Sequence, residues 1–210
     1  MVNYVLHYFD GVALRAEFIR LCFEYGKVPY EQVLIPHPDW LKHKPNYPTG
    51  SVPLLEVDDV KIADSTAIGR FVAKQVGLAG GSDVDAALID GFVAQAEDLT
   101  TILAGKKVFF KIAEGKGTEI ADEIRASMKP FMERLEAHLS KCSCPFGAAY
   151  LVGKKISWAD LNLADLIYRM EWTVADLTKP FPAVKKWVDD VHGLPQLKEY
   201  FAKRDKGMGF

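Results

Sequence analysis

The sequence predicts two domains: an α/β N-terminal domain of order βαβ-ββα over residues 1–78 and an all-α domain over residues 84–210. Strand patterns occur at residues 2–8, 30–35, 54–57 and 60–63, and helical-period segments follow the first and the last of them. Beyond the glycine-rich, weakly periodic stretch 77–83 every periodic segment is helical, which makes that stretch the domain boundary.

In the first strand Tyr4, Leu6 and Tyr8 share one face, Val5 and His7 the other, and Gly11 ends the run. Phe18, Ile19, Cys22 and Phe23 recur at helical spacing between Arg15 and Tyr25, with Gly26 as the expected terminator. A helix joining the first strand to the second, Tyr30 to Ile35, makes the two parallel. Pro36, Pro38, Pro45 and Pro48 then punctuate an irregular passage with a short helical turn at Trp40-Leu41. Leu54 to Val57 and Val60 to Ala63, separated by Asp58-Asp59, predict an antiparallel hairpin, and Asp64-Ser65-Thr66 opens a helix carrying Ile68, Phe71, Val72 and Val76. In the second domain Val84 to Phe110 and Glu119 to Leu139 predict two long amphipathic helices. Ser157 and Asp160 form a variant capping box ahead of a helix that is apolar all round, hence expected at the bundle centre. Short helices around Val184-Val191 and Leu197-Ala202 close the chain.

Composition narrows the function. With 49% apolar and 26% charged residues and no apolar run near the ~20 residues that span a bilayer, no membrane insertion is expected. A net charge of -2 and lysines scattered as pairs leave no basic stripe for nucleic acid. No secretory signal opens the chain, and three cysteines fit a reducing compartment, so a cytoplasmic protein is expected. Cys142-Ser143-Cys144 lacks a second ligand pair and reads as an incidental loop, and Cys22 as a small buried hydrophobe; no metal site is expected.

The stretch Tyr47 to Ile68 has the form of a device for an extended peptide bearing a carboxylate. Pro53 at the first position of a strand removes one ladder donor, and a cis Val52-Pro53 bond would turn the Val52 N–H and C=O outward to pair with another backbone. One hairpin later the free N–H groups of a helix start suit an anion. The alternative reading is local: Asp64 or Ser65 caps its own helix, and Pro53 is an edge-strand proline.

Taken in order, Tyr8-Phe9, Arg15-Ala16-Glu17, Ile19-Arg20, Trp40, Lys44, Gly50-Ser51-Val52-Pro53-Leu54-Leu55-Glu56, Asp64-Ser65-Thr66-Ala67-Ile68 and Ser157-Trp158-Ala159-Asp160-Leu161 resemble the cytosolic glutathione transferases along the whole chain. They look most like the sigma class, which includes invertebrate transferases and the glutathione-requiring prostaglandin D synthase. The resemblance implies a thioredoxin-like, glutathione-binding first domain and a helical second domain that contributes the hydrophobic substrate site. It implies glutathione as co-substrate, conjugated to hydrophobic electrophiles, and a homodimer. Alternatives within the same fold are prostaglandin isomerisation, haem or hydrophobic-ligand carriage, and a structural role.

By the same resemblance Tyr8 is catalytic, its phenol donating to the glutathione sulfur. Lowering a thiol from ~8.5 by about two units takes roughly 2.7 kcal/mol, much of which one charge-assisted hydrogen bond of ~1.5–3 kcal/mol supplies. Arg15, Ser51, Val52 and Pro53 join the glutathione site, Trp40 and Lys44 take the glycyl end, and Asp64 and Ser65 the γ-glutamyl end, with Asp98 reaching in from a partner subunit. Phe9, Leu14, Thr101, Ala104, Gly105 and Phe210 are the implied residues for the hydrophobic substrate. The chain departs from the family pattern in three places: the loop FDGVAL is one residue longer with Val12-Ala13-Leu14 replacing an arginine-glycine pair, Ser51 stands where glutamine or lysine is usual, and Asp64 stands for glutamine. Asp64 can accept from an ammonium but repels a nearby carboxylate.

Overall fold

The computed structural model describes residues 2–141 and 150–204, arranged as two compact units. The first comprises the described residues of Met1–Leu78 and Gln196–Gly209, the second those of Ala79–Pro195.

In the first unit β1 (Tyr4–Phe9), α1 (Leu14–Gly26), β2 (Glu31–Ile35), α2 (Trp40–His43), β3 (Leu54–Val57), β4 (Val60–Ala63) and α3 (Ser65–Gln75) follow in order. The sheet order is β2-β1-β3-β4. β1 runs parallel to β2, as the crossover helix requires, and antiparallel to β3, with Leu6 opposite Leu55. Period-two alternation decides the faces. Tyr4, Leu6 and Tyr8 are buried, and Tyr4 rests on Phe23 of α1 and Phe71 of α3, at ring separations of 5.3 and 6.5 Å. On the opposite face His7 meets Tyr47, and Phe9 meets His37 and Trp40.

Gly26 does not end α1 in the way its sequence position predicts. Lys27 takes the left-handed conformation, φ 52°, while Gly26 stays within the helix. Its small size has another cause: a β-carbon there would lie 2.3 Å from Cγ1 of Val76 at the end of α3.

The second unit contains α4 (Asp83–Gly105), α5 (Val108–Ala113), α6 (Ala121–Leu139), α7 (Trp158–Thr173) and α8 (Pro182–His192). The continuous helix expected over 84–110 is two helices, because Lys107 adopts φ 57° and breaks the hydrogen-bond ladder after Gly105. Helix α7 packs against both α4 and α8, and Trp158, Leu161, Leu163, Ala164, Ile167 and Met170 are fully buried. Its capping box forms: the Asp160 carboxylate accepts from Ser157 N (2.8 Å), Ser157 Oγ (2.7 Å), Leu151 N (2.9 Å) and Trp187 Nε1 (3.0 Å). Burial raises the Asp160 carboxyl above the usual range, against the pull of those four donors.

The C-terminal helix (Lys198–Arg204), which the sequence boundary assigns to the helical domain, clusters with the first unit instead. Charge explains this. Glu17 and Arg20 sit buried on α1, and Tyr200 and Arg204 both donate to Glu17 at 3.0 Å.

Candidate functional site

Tyr8 lies near the carboxyl end of β1, 4% exposed, and its hydroxyl oxygen accepts from the backbone N–H of Arg15 at 3.3 Å. An amide donating to a phenol oxygen stabilises charge building there, which makes the phenol a better donor in turn. The loop between these residues bends at Gly11, φ 68°, and brings Arg15 into the first turn of α1 despite its extra residue.

On the sheet face opposite the one that carries Tyr8, the irregular passage supplies an aromatic wall. Trp40 stands edge-on to Phe9 at 5.4 Å and tilted against Tyr47 at 5.3 Å, and its indole N–H has no hydrogen-bond partner among the described residues. Trp40, Val52 and Ala63 pack against the buried cluster of Ile35, Tyr47 and Leu54. The sequence-predicted residues Trp40 and Val52 thus share one cluster. Lys44 is exposed and runs past Gly50, φ 62°, so closely that a β-carbon at Gly50 would meet Lys44 Cε at 3.2 Å. Ser51 is exposed and its hydroxyl is 2.8 Å from that of Thr49.

The Val52-Pro53 peptide is cis. Among the described residues Val52 takes part in none of the turn or loop backbone hydrogen bonds. After the hairpin, Asp64 takes φ 78° and its carboxylate accepts from Thr66 N and Ala67 N, both at 3.0 Å. The local reading therefore holds for Asp64, which caps α3. The adjoining Ser65 is buried, and its hydroxyl makes no hydrogen bond among the described residues. Asp64 thus engages two amides of the helix start and leaves the Ser65 N–H and hydroxyl outside the cap.

Comparison with known proteins decides the family. A glutathione S-transferase N-terminal domain model matches residues 4–74, and a C-terminal domain model of the same family matches residues 104–204. Glutathione S-transferase 1 of Ascaris suum is 33% identical over 98% of this chain and 98% of its own. The chain belongs to the glutathione S-transferase family. The hematopoietic prostaglandin D synthase of Gallus gallus is 32% identical over 98% of both chains. Among solved structures, a monomeric glutathione S-transferase of Necator americanus superposes with a TM-score of 0.85 at 32% identity, covering 96% of this chain and 97% of that one.

Set within a glutathione S-transferase, the remaining predicted residues are placed as follows. Phe9 and Leu14 are half-buried in the first unit. Asp98, Thr101, Ala104 and Gly105 are exposed on α4 in the second. Phe210, Cys142 and Cys144 lie outside the described residues. Among the described residues no group of three or more His, Cys, Asp or Glu side chains could hold a metal ion, and no helix is long and apolar enough to cross a membrane.

The structure adds residues that sequence reasoning passed over. His37 lies tilted against Phe9, with ring centroids 5.0 Å apart. His7 Nδ1 lies 3.0 Å from the Tyr47 hydroxyl, while its other nitrogen lies 3.5 Å from Glu56. Burial nevertheless keeps the His7 imidazole below its ordinary range, outweighing the Glu56 carboxylate. Arg20 and Glu17 gave a signal in the sequence, since a charged pair on the apolar stripe of a helix has to find partners.

Proposed function

We propose that this glutathione S-transferase family enzyme ionises the thiol of glutathione with Tyr8 and transfers the thiolate to an apolar electrophile. The observation that carries the reading is the Tyr8 hydroxyl held at the start of α1 by the Arg15 N–H, 3.3 Å away. A phenol so placed donates to the sulfur and favours thiolate over thiol. The sulfur attacks the electrophilic carbon, a carbon–sulfur bond forms, and the leaving group departs with its electron pair.

The peptide is held by its backbone and its charges. In this proposal Val52 pairs with the cysteinyl residue like an added strand, behind the turn fixed by Gly50, Ser51 and Pro53. Trp40 and Lys44 take the glycyl carboxylate, Ser65 the γ-glutamyl carboxylate, and Asp64 the neighbouring ammonium. Phe9 and Leu14 are the first-unit candidates for contact with the electrophile, Thr101, Ala104 and Gly105 those on α4. The likeness in residues to the sigma class supports that assignment, a cytoplasmic location and a homodimer in which a partner's Asp98 nears the ammonium. The chemistry calls on no metal.

Two measurements test this. The protein should be retained on immobilised glutathione and should turn over a chromogenic aryl halide, with sedimentation reporting a dimer. Passage through the column unbound, with no turnover, would contradict the proposal. The 32% identity to a prostaglandin D synthase favours one further substrate, a prostaglandin endoperoxide, and product analysis decides it.

A further inference from the structure

Beneath Tyr8 lies a buried charged network that the proposed chemistry does not yet use. Arg20 is fully buried and its guanidinium is engaged on three sides. Its Nε donates to Gln32 Oε1 of β2 at 2.8 Å, and its Nη1 donates both to Glu17 Oε2 and to the Val12 carbonyl at 3.1 Å. Its Nη2 is buried with no hydrogen-bond acceptor, and the Tyr8 ring centroid lies 5.7 Å from its Cζ, within reach of a cation–π attraction. Glu17 Oε1 in turn accepts from Tyr200 and Arg204 of the C-terminal helix. Tyr30 and Tyr200, the other titratable groups facing this network, are pushed well above the ordinary phenol range by burial and stay neutral.

Two of these contacts reach the residues around the proposed sulfur site. Val12 belongs to the lengthened loop Asp10–Ala13, whose course sets where α1 begins and so where the Arg15 N–H meets Tyr8. The guanidinium beside the Tyr8 ring stabilises negative charge on that phenol. We propose that Arg20 is a positioning residue for Tyr8 and the first loop, and that Glu17 makes the C-terminal helix part of its support. This role rests on the reading of Tyr8 as the group that ionises glutathione. A planar guanidinium is needed, because Gln32, Glu17 and Val12 are reached in one fork that an ammonium cannot span.

The test is a pH titration of the ultraviolet thiolate absorption of bound glutathione, run with steady-state kinetics on wild type and Arg20→Lys. Lysine keeps the charge and loses the fork. The thiolate midpoint should rise by about one unit and kcat at pH 7 should fall about threefold, in step with the thiolate fraction, with KM for glutathione within about twofold. A folded Arg20→Lys variant with the wild-type midpoint overturns the role. Gln32→Met, a change at an exposed edge position, removes one acceptor without leaving a buried charge unpaired. It should move the midpoint in the same direction by a smaller amount, and an unmoved midpoint there also overturns the role, including where Arg20→Lys fails to fold. Wild-type protein that gives no thiolate signal would overturn the Tyr8 reading itself, and the network's role with it.

Discussion

At the scale of single residues, two side chains depart from their ordinary titration or pairing in ways that solution measurements detect. His7 is held below the ordinary imidazole range by burial, with the Glu56 carboxylate only partly compensating. An imidazole with a depressed folded pKa contributes stability above its unfolded value near 6.5, and that contribution is lost as pH falls, because the unfolded chain takes the proton first. His7→Gln, which keeps an acceptor for the Tyr47 hydroxyl, should flatten the decline in denaturation midpoint between about pH 7 and pH 5. A decline as steep as wild type would remove His7 as its cause. Asp64 is the second case. Its carboxylate already fills the amides of Thr66 and Ala67, so it offsets the positive end of α3 that a ligand carboxylate needs. Asparagine also caps well and carries no charge. Asparagine still accepts from the ligand's ammonium and no longer repels its carboxylate, so glutathione should bind Asp64→Asn about two- to fivefold tighter by calorimetry, corresponding to ~0.3–1 kcal/mol. Weaker binding would show that the ligand's ammonium depends on Asp64 more than its carboxylate is repelled.

At the scale of elements, two glycines make the same substitution act with opposite sign. A β-carbon at Gly26 would overlap Val76 at 2.3 Å where α1 approaches α3, whereas one at Gly91 on α4 would meet nothing within 4 Å. Gly26→Ala should lower stability by about 1–3 kcal/mol through overpacking. Gly91→Ala should raise it by about 0.5–1 kcal/mol through helix propensity. Thermal unfolding of the two variants distinguishes packing from propensity, since equal shifts would mean that Val76 yields without cost. The helix break at Lys107 belongs to this scale too. Helical apolar spacing holds on both sides of Gly105-Lys106-Lys107, so periodicity alone joins α4 to α5. The left-handed residue is a lysine, so the compositional mark of the break is Gly105, two positions before it.

At the scale of the whole molecule, the parts legible in the sequence were those fixed by local chemistry. Strand alternation through Tyr4, Leu6 and Tyr8, the hairpin at Asp58-Asp59, and the capping box of Ser157 and Asp160 each follow from residues close together in the chain, and each is present in the structure. What was not legible depends on contacts far apart in sequence. Glu17 finds Arg204 across 187 positions, and this contact draws the C-terminal helix to the first unit. His37 reaches Phe9, and Gly26 meets Val76, for the same reason: folding brings together what spacing keeps apart. The candidate site divides the same way. Motifs located Tyr8, Val52-Pro53 and Asp64-Ser65, but only the fold supplied the Arg15 amide and the Arg20 network around the phenol. Titrating the thiolate absorption of glutathione bound to wild type and to Tyr8→Phe measures whether the Tyr8 hydroxyl sets the ionisation of the glutathione thiol. The wild-type midpoint should lie about two units below that of free thiol, near 6.5, and the Tyr8→Phe midpoint should return at least about one unit toward 8.5. Equal midpoints in two proteins that bind glutathione with equal affinity would contradict that role.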